Sequence, residues 1–278
     1  MLKLTKAQAT LHRQADDLVR SSEPLSEEEV EFVLAHWQEA STITNPLDGA
    51  FFTPRELARD LALHIGGCRV IDLCAGIGHL AWGYRQRYVT DWERDKAPLQ
   101  LVCVEKNPAY VEVGRRLLPE ARWICADVFD LPQLDLGRFD AALANPPFGF
   151  VTRGGLRSPR YRGNRIEYHV IDLAADLADR GAFILPQTLA PFCYSGPRPS
   201  QWDYPQVYRH FTAQTGIKLR FNVGIDTACY PGWRGVAPLT EIVTVDFRER
   251  SDPVARPGRR TTSRRTTRAQ RPVSDALF

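Results

Sequence analysis

The stretch VIDLCAGIGHL, residues 70–80, carries a β-branched apolar run through two closely spaced glycines into a helical pattern. Strand, glycine turn and helix in that order open a βαβ unit, so this stretch points to a parallel sheet. Gly76 and Gly78 allow tight turning and close approach of a ligand to the backbone. The pair alone is weak evidence for any one ligand. No Lys-Ser or Lys-Thr follows it, as a P-loop requires, and Ala81 stands where a dinucleotide motif places its third glycine.

Downstream, apolar strand candidates alternate with helical segments. The strands are LVCVE (101–105), RWICAD (122–127), FDAALAN (139–145) and GAFILP (181–186); the helices lie near 79–88, 108–118 and 166–179. Near-continuous apolar strands of this kind are buried on both faces. Two later candidates, IKLRFNVGI (217–225) and EIVTVDF (241–247), flank a loop too short for a crossover helix and are expected to pair antiparallel. The expected architecture is α/β, a mostly parallel seven-stranded sheet with an antiparallel end strand and helices on both faces.

Upstream, helices are expected over about Thr5–Arg20 and from Ser26, where Glu29 completes a capping box. A third is expected in FTPRELARDLALHIGG, with Thr53 as cap, Pro54 at the first helical position and Gly66 at the stop. The chain thus divides into an N-terminal helical segment (1–48), a catalytic domain (49–248) and a basic tail (249–278). From Ser251 onward seven arginines face only Asp252 and Asp275, a net of +5 within a total of +3. The body is therefore near neutral, and the tail is too polar to fold alone. Six cysteines form no C-x-x-C pair, so reduced, mostly buried thiols in a cytoplasmic protein are expected, with no zinc or other metal site. No run is long and apolar enough for a membrane span, and the N-terminus has no targeting pattern.

Three successive strand ends carry polar groups. The glycine turn follows the first, Glu105 ends the second and Asp127 ends the third. In parallel sheets ligands bind at the carboxyl ends of strands, where an acid can take a ribose diol and another an adenine amino group. The fourth strand ends in Asn145-Pro146-Pro147-Phe148. Two prolines between an amide and an aromatic ring exceed what a strand end needs.

In order, DLCAGIGHL, VCVEKN, CADVFD and NPPF resemble the signature segments of class I S-adenosylmethionine-dependent methyltransferases. NPPF resembles chiefly the adenine-N6 DNA methyltransferases, and FFTP at 51–54 is similar to the cofactor-covering segment of the subgroup that places cofactor binding before catalysis. The resemblance spans roughly residues 50–190, and the segment departs from the family in lacking a proline after Asp72. It implies S-adenosyl-L-methionine as cofactor. The implied contacts are Phe52, Thr53, Pro54, Asp72, Cys74, Ala75, Gly76, Gly78, Glu105 (ribose), Asp127 (adenine) and Val128. It implies catalysis by Asn145, Pro146, Pro147 and Phe148. An aromatic amine is a poor nucleophile because its lone pair is delocalised. The Asn145 side-chain oxygen and the Pro146 carbonyl can hold it in line, while Phe148 stacks on the extruded base.

The acceptor is read from the loops. GFVTRGGLRSPRYRGNR (149–165) places Arg153, Arg157, Arg160, Tyr161 and Arg162 beside the catalytic segment, which suits a nucleic-acid backbone and an unstacked base. A second loop, 187–210, holds Phe192, Tyr194, Arg198, Trp202 and Tyr204, which either gate the site or pack on the core; YPGWRGV (230–236) reads as an aromatic turn. No separate recognition domain follows the last strand, so target choice is expected from the N-terminal helices, these loops or a partner protein, with relaxed specificity. The favoured expectation is adenine-N6 methylation of DNA. RNA adenine methylation, protein glutamine methylation (where tyrosine usually replaces Phe148) and non-catalytic nucleic-acid binding remain as alternatives.

Overall fold

The computed structural model describes residues 5–38, 52–90, 97–151, 155–196, 205–221, 224–230, 232–233 and 239–251. Seven helices are described: α1 (Lys6–Arg20), α2 (Glu27–His36), α3 (Arg55–Ala62), α4 (His79–Thr90), α5 (Pro108–Leu117), α6 (Ile166–Leu177) and α7 (Gln206–Thr215). The strands are β1 (Arg69–Leu73), β2 (Gln100–Glu105), β3 (Arg122–Cys125), β4 (Phe139–Ala144), β5 (Ala178–Pro186), β6 (Arg220–Phe221) and β7 (Thr240–Asp246). They form one sheet in the order β3-β2-β1-β4-β5-β7-β6. β1 to β5 pair in parallel, and β7 lies antiparallel to both β5 and β6. The expected sheet is present, with its reversed strand inserted one place in from the edge.

Alternation along the strands distributes side chains to two helical layers. Ile71, Leu73, Val104, Ala142 and Phe183 pack with Tyr168 and Ile171 of α6 and with Tyr208 and Phe211 of α7. Val70, Leu101, Leu143 and Ile184 pack instead with Leu57 and Leu61 of α3 and with Leu80 and Tyr84 of α4. The N-terminal helices join this second layer. Val30, Val33, Leu34 and Trp37 share a cluster with Trp82 of α4, Tyr110 and Leu117 of α5, and Trp123 of β3. Arg116 of α5 fixes the α1–α2 turn by donating to the carbonyls of Val19 (3.1 Å) and Glu23 (2.7 Å).

Ser26 and Glu29 close the expected capping box on α2, and Thr5 with Gln8 closes a second one on α1 that was not expected. Thr53 does not cap α3. That helix starts one residue later than expected, with Pro54 at the N-cap and no side-chain cap, and it ends at Ala62 rather than at Gly66. The hydroxyl of Thr53 is used elsewhere, as shown below. The first of the two late strands, expected over 217–225, is much shorter, only Arg220–Phe221 among the described residues. The tail from residue 252, Arg153, Arg198, Trp202 and Tyr204 lie outside the described residues, as does the expected boundary at 48 and 49. No helix among the described residues is long and apolar enough to cross a membrane.

α3 and α4 approach each other without a side chain between them. A Cβ on Gly83 would stand 2.9 Å from the carbonyl carbon and oxygen of Ala58. Because the obstacle is backbone, it yields only if the helices part. Alanine is the better helix former by about 1 kcal/mol, whereas overpacking costs about 1–3 kcal/mol. Gly83→Ala is therefore expected to destabilise the chain despite its helix propensity, read as a lower denaturation midpoint. A higher midpoint would show that this crossing is loose.

Candidate active site

The carboxyl ends of β1, β2 and β4 and the turn after β3 open onto one cleft of about 950 Å³ including its mouth, within the usual size range for a small-molecule site. Its floor is the turn after β1. Cys74 (φ 64°), Gly76 (φ 58°) and Gly78 (φ 101°) all take left-handed backbone conformations. For Cys74 this is uncommon in a residue with a side chain, and the turn holds it there by tying Ala75 N–H to the Val104 carbonyl at 2.9 Å.

Glu105 locks the turn. Its Oε2 accepts from the Gly76 N–H (2.9 Å) and its Oε1 from the Asn107 N–H (2.8 Å), so one buried carboxylate joins the turns after β1 and β2. Burial pushes the pKa of this carboxyl up, and the two amides offset part of that rise. Asp72, one strand over, is 1% exposed; its Oδ2 accepts from the Ala81 N–H of α4 at 3.1 Å, and its Oδ1 has no hydrogen-bond partner. Burial, with the charge of Glu105 adding to it, pushes its pKa up to about 8 against the pull of the Ala81 amide. Asp127 caps the short 3-10 turn over Val128–Gln133 by accepting from the Phe129 N–H at 3.0 Å.

Phe52 roofs the turn. A Cβ on Gly76 would meet its ring at 3.2 Å, so alanine at 76 would press on the roof. The ring packs against Tyr110 (centroids 5.3 Å apart), His79 (5.2 Å) and Trp37 (6.0 Å). His79 in turn meets the Leu34 carbonyl at 3.0 Å, linking the N-terminal helices to the cleft. Opposite stands Asn145, whose Nδ2 donates to the Thr53 hydroxyl at 3.0 Å. This bond spans 92 residues and sets which end of the amide is the acceptor.

Of the residues expected at a cofactor site, Phe52, Thr53, Asp72, Cys74, Ala75, Gly76, Glu105, Asp127 and Val128 line this cleft, with Asn145 and Pro147. Pro54 and Gly78 are not among the lining residues. Pro54 begins α3. Gly78 faces the packed side of its turn, where a Cβ would meet Leu118 at 3.1 Å and Trp123 at 3.3 Å, so its glycine serves packing. Pro146 is buried, and Phe148 is half-buried against the layer containing Leu57, Ile184 and Trp233. Tyr110, His79, Phe129 and Ile166 line the cleft without having been expected. Tyr110 and His79 sit in first turns of helices that follow parallel strands, the one sequence signal that could have found them.

The basic loop differs from its expected role. Tyr161 is 1% exposed and packs between Tyr168, His169 and Phe211, so it cannot stack on a base here. Arg160 forms ion pairs with the buried Asp172 (2.6 Å) and with Asp176 (2.9 Å). Arg162 donates to the carbonyls of Ser158 and Pro159, and Arg157 to that of Gly163. These residues brace the loop. In the second loop Phe192 is buried in the core while Tyr194 is 40% exposed. Among the described residues no cluster of three His, Cys, Asp or Glu is placed to hold a metal.

No family model and no curated protein matches this chain. Solved structures do. The methyltransferase subunit of a type I restriction-modification system from Streptococcus thermophilus superposes with a TM-score of 0.52 at 13% identity, covering 79% of this chain and 48% of that one. A modification subunit of a type I restriction enzyme from Vibrio vulnificus YJ016, described as putative, gives 0.52 at 16% identity, covering 83% and 51%. At such identities the likeness is one of fold. The chain has the Rossmann-like sheet of class I methyltransferases and spans about half the length of these two proteins.

The state of Asp72 has a measurable consequence. Its ordinary pKa is 3.8 and its folded value about 8, so between these the folded chain keeps a proton that the unfolded chain releases. That contribution to stability is complete at low pH and is lost as pH rises towards 8. Asp72→Asn keeps an acceptor for Ala81 and removes the charge. The variant should melt close to the wild type at pH 4 and a few degrees above it at pH 8. A difference independent of pH would refute the buried, charge-averse carboxyl.

Proposed function

We propose that the chain transfers a methyl group from S-adenosyl-L-methionine to the N6 amine of adenine in DNA. The carrying observation is the placement of Asn145 and Pro147 on the wall of the cleft that also holds the Gly76 turn, Glu105 and Asp127. The likeness of the fold to methyltransferase subunits of restriction-modification systems supports this reading.

The residues present fit that cofactor. Glu105 uses two acceptor positions on backbone amides, and a carboxylate has about four, so a ribose diol can be taken as well. Asp127 has one oxygen on the Phe129 amide and a second for an exocyclic amino group. Asp72 offers a buried oxygen with no hydrogen-bond partner, in a cleft where a cationic ligand would favour its charged form. Phe52 and Val128 supply apolar walls. When bound, S-adenosyl-L-methionine supplies a methyl group on a cationic sulfur. The chain's own part is orientation. Asn145, its amide set by Thr53, accepts from the amine; the Pro146 carbonyl, aimed by a fixed φ, accepts the second hydrogen; water is kept from the cleft by Phe52. Transfer from a cationic sulfur would leave the methylated nitrogen positively charged and acidic, so its proton could pass to water and the chain would need no strong base. The absence of a histidine or cysteine in the 145–148 segment agrees with this.

Incubation with radiolabelled S-adenosyl-L-methionine and separate DNA, RNA and protein pools tests the acceptor. Label in adenine of DNA is the expected result; label confined to RNA or to protein glutamine would overturn it. Asn145→Ala should lower turnover by about two to three orders of magnitude with little change in cofactor affinity by calorimetry. Near-normal turnover in that variant would sink the amine mechanism.

A further inference from the structure

Directly after the Asn145–Phe148 segment the chain leaves the cleft and returns as a clipped stem. Ile166 N–H donates to the Gly149 carbonyl (3.3 Å) and Val151 N–H to the Asn164 carbonyl (2.8 Å). Between these lies an isolated antiparallel bridge, Phe150 to Arg165. Ile166, on the inner rung, lines the cleft. The Phe150–Arg165 rung is the next one out, at the rim.

The two side chains interact. The Arg165 guanidinium lies over the Phe150 ring, 4.2 Å from its centroid, a cation–π geometry. Even so Phe150 is 59% exposed. A ring has two faces, and the guanidinium covers one and fixes the plane. A lone exposed phenyl is ordinary on a protein surface; one held flat by a cation, one residue outside a catalytic cleft, is prepared for a partner. The stem beneath is pinned. Gly149 N–H donates to Oε1 of the wholly buried Glu167 (3.1 Å), and Arg160 is held by Asp172 further out. Burial pushes the Glu167 carboxyl up to about 7, against the pull of the Gly149 amide and of Arg165.

We propose that Phe150 and Arg165 form a stacking platform for an unpaired nucleobase beside the acceptor, so that single-stranded or locally opened nucleic acid occupies this rim. The inference rests on the methyl-transfer reading above. An aromatic face accepts any base, and the adjoining guanidinium suits the phosphates of the same strand. A cation beside the ring makes the rim a poor seat for an apolar helix.

The test uses the full chain and a single-stranded oligonucleotide with 2-aminopurine in place of one adenine, read by anisotropy and by quenching of the 2-aminopurine fluorescence. Phe150→Ala is expected to weaken binding about tenfold or more and to abolish quenching. Phe150→Trp should keep both, and Phe150→Leu, apolar but without a π face, should restore neither. S-adenosyl-L-methionine affinity by calorimetry should stay unchanged in all three. Unaltered binding and quenching in Phe150→Ala, or their recovery in Phe150→Leu, would overturn the platform. The failures are separable: a wild-type chain that labels protein but no nucleic acid defeats the acceptor reading, whereas one that labels nucleic acid alongside an unimpaired Phe150→Ala defeats only the platform.

Discussion

One buried carboxylate sets the shape of the cleft. Glu105 accepts from Gly76 and from Asn107, so the turns leaving β1 and β2 are held against the same two oxygens. A charged acceptor makes stronger bonds than a neutral one, and low polarity around it strengthens them further. The cost is desolvation of a charge, which these amides offset. Left-handed conformations at Cys74, Gly76 and Gly78 become tolerable because the turn between them cannot relax away from Glu105.

The rest of the site hangs from that turn through few contacts. Phe52 closes over Gly76; Thr53, its neighbour, reaches Asn145. The segment that roofs the floor is thus the one that orients the amide at the end of β4. Its course is set by α3, which lies on α4 at the Gly83–Ala58 contact, and α4 springs from the glycine turn itself. Tyr230 adds a second tether by donating to Asp60 of α3. The ring of supports closes on itself: a shift in α3 would move Phe52, Thr53 and, through Thr53, Asn145.

How legible this was in the sequence follows from how local each cause is. β1, β2, β4 and β5 stood out because both their faces are largely buried, and the strand-end groups Glu105, Asp127 and Asn145 stood out because parallel topology brings strand ends together. Thr53 was misread as a helix cap because a threonine before a proline satisfies the local rule, whereas its actual partner lies 92 residues away. Arg160 and Tyr161 were misread for a related reason. Composition shows a basic loop, but not that Asp172 on α6 accepts the amides of Arg160 and Tyr161 and the Arg160 guanidinium. Gly78 was read for its turn and its approach to a ligand; its φ of 101° bears out the turn, and a Cβ there would also meet Trp123 on another strand. What the chain's spacing could not show was in each case a tertiary contact, from Thr53 to Asn145, from the loop to Asp172 and from Gly78 to Trp123.

That correction changes what the loop after the catalytic segment can do. A mobile loop rich in arginine attracts phosphates but positions nothing. Here the cations at 157, 160 and 162 are committed to carbonyls and carboxylates of the loop and of α6. Ser158 is likewise held by His169, 2.8 Å from its hydroxyl. Charge that would have served attraction instead fixes geometry. The benefit falls on the rung at the rim, where Phe150 and Arg165 pair on a stem pinned by backbone bonds and by Glu167. Ordering side chains at the moment of binding costs affinity, and a pair already held in place, as Arg165 lies over Phe150, avoids part of that cost. The arginines that first suggested a nucleic-acid surface therefore bear on the proposed platform indirectly, by bracing the loop that carries Phe150 and Arg165.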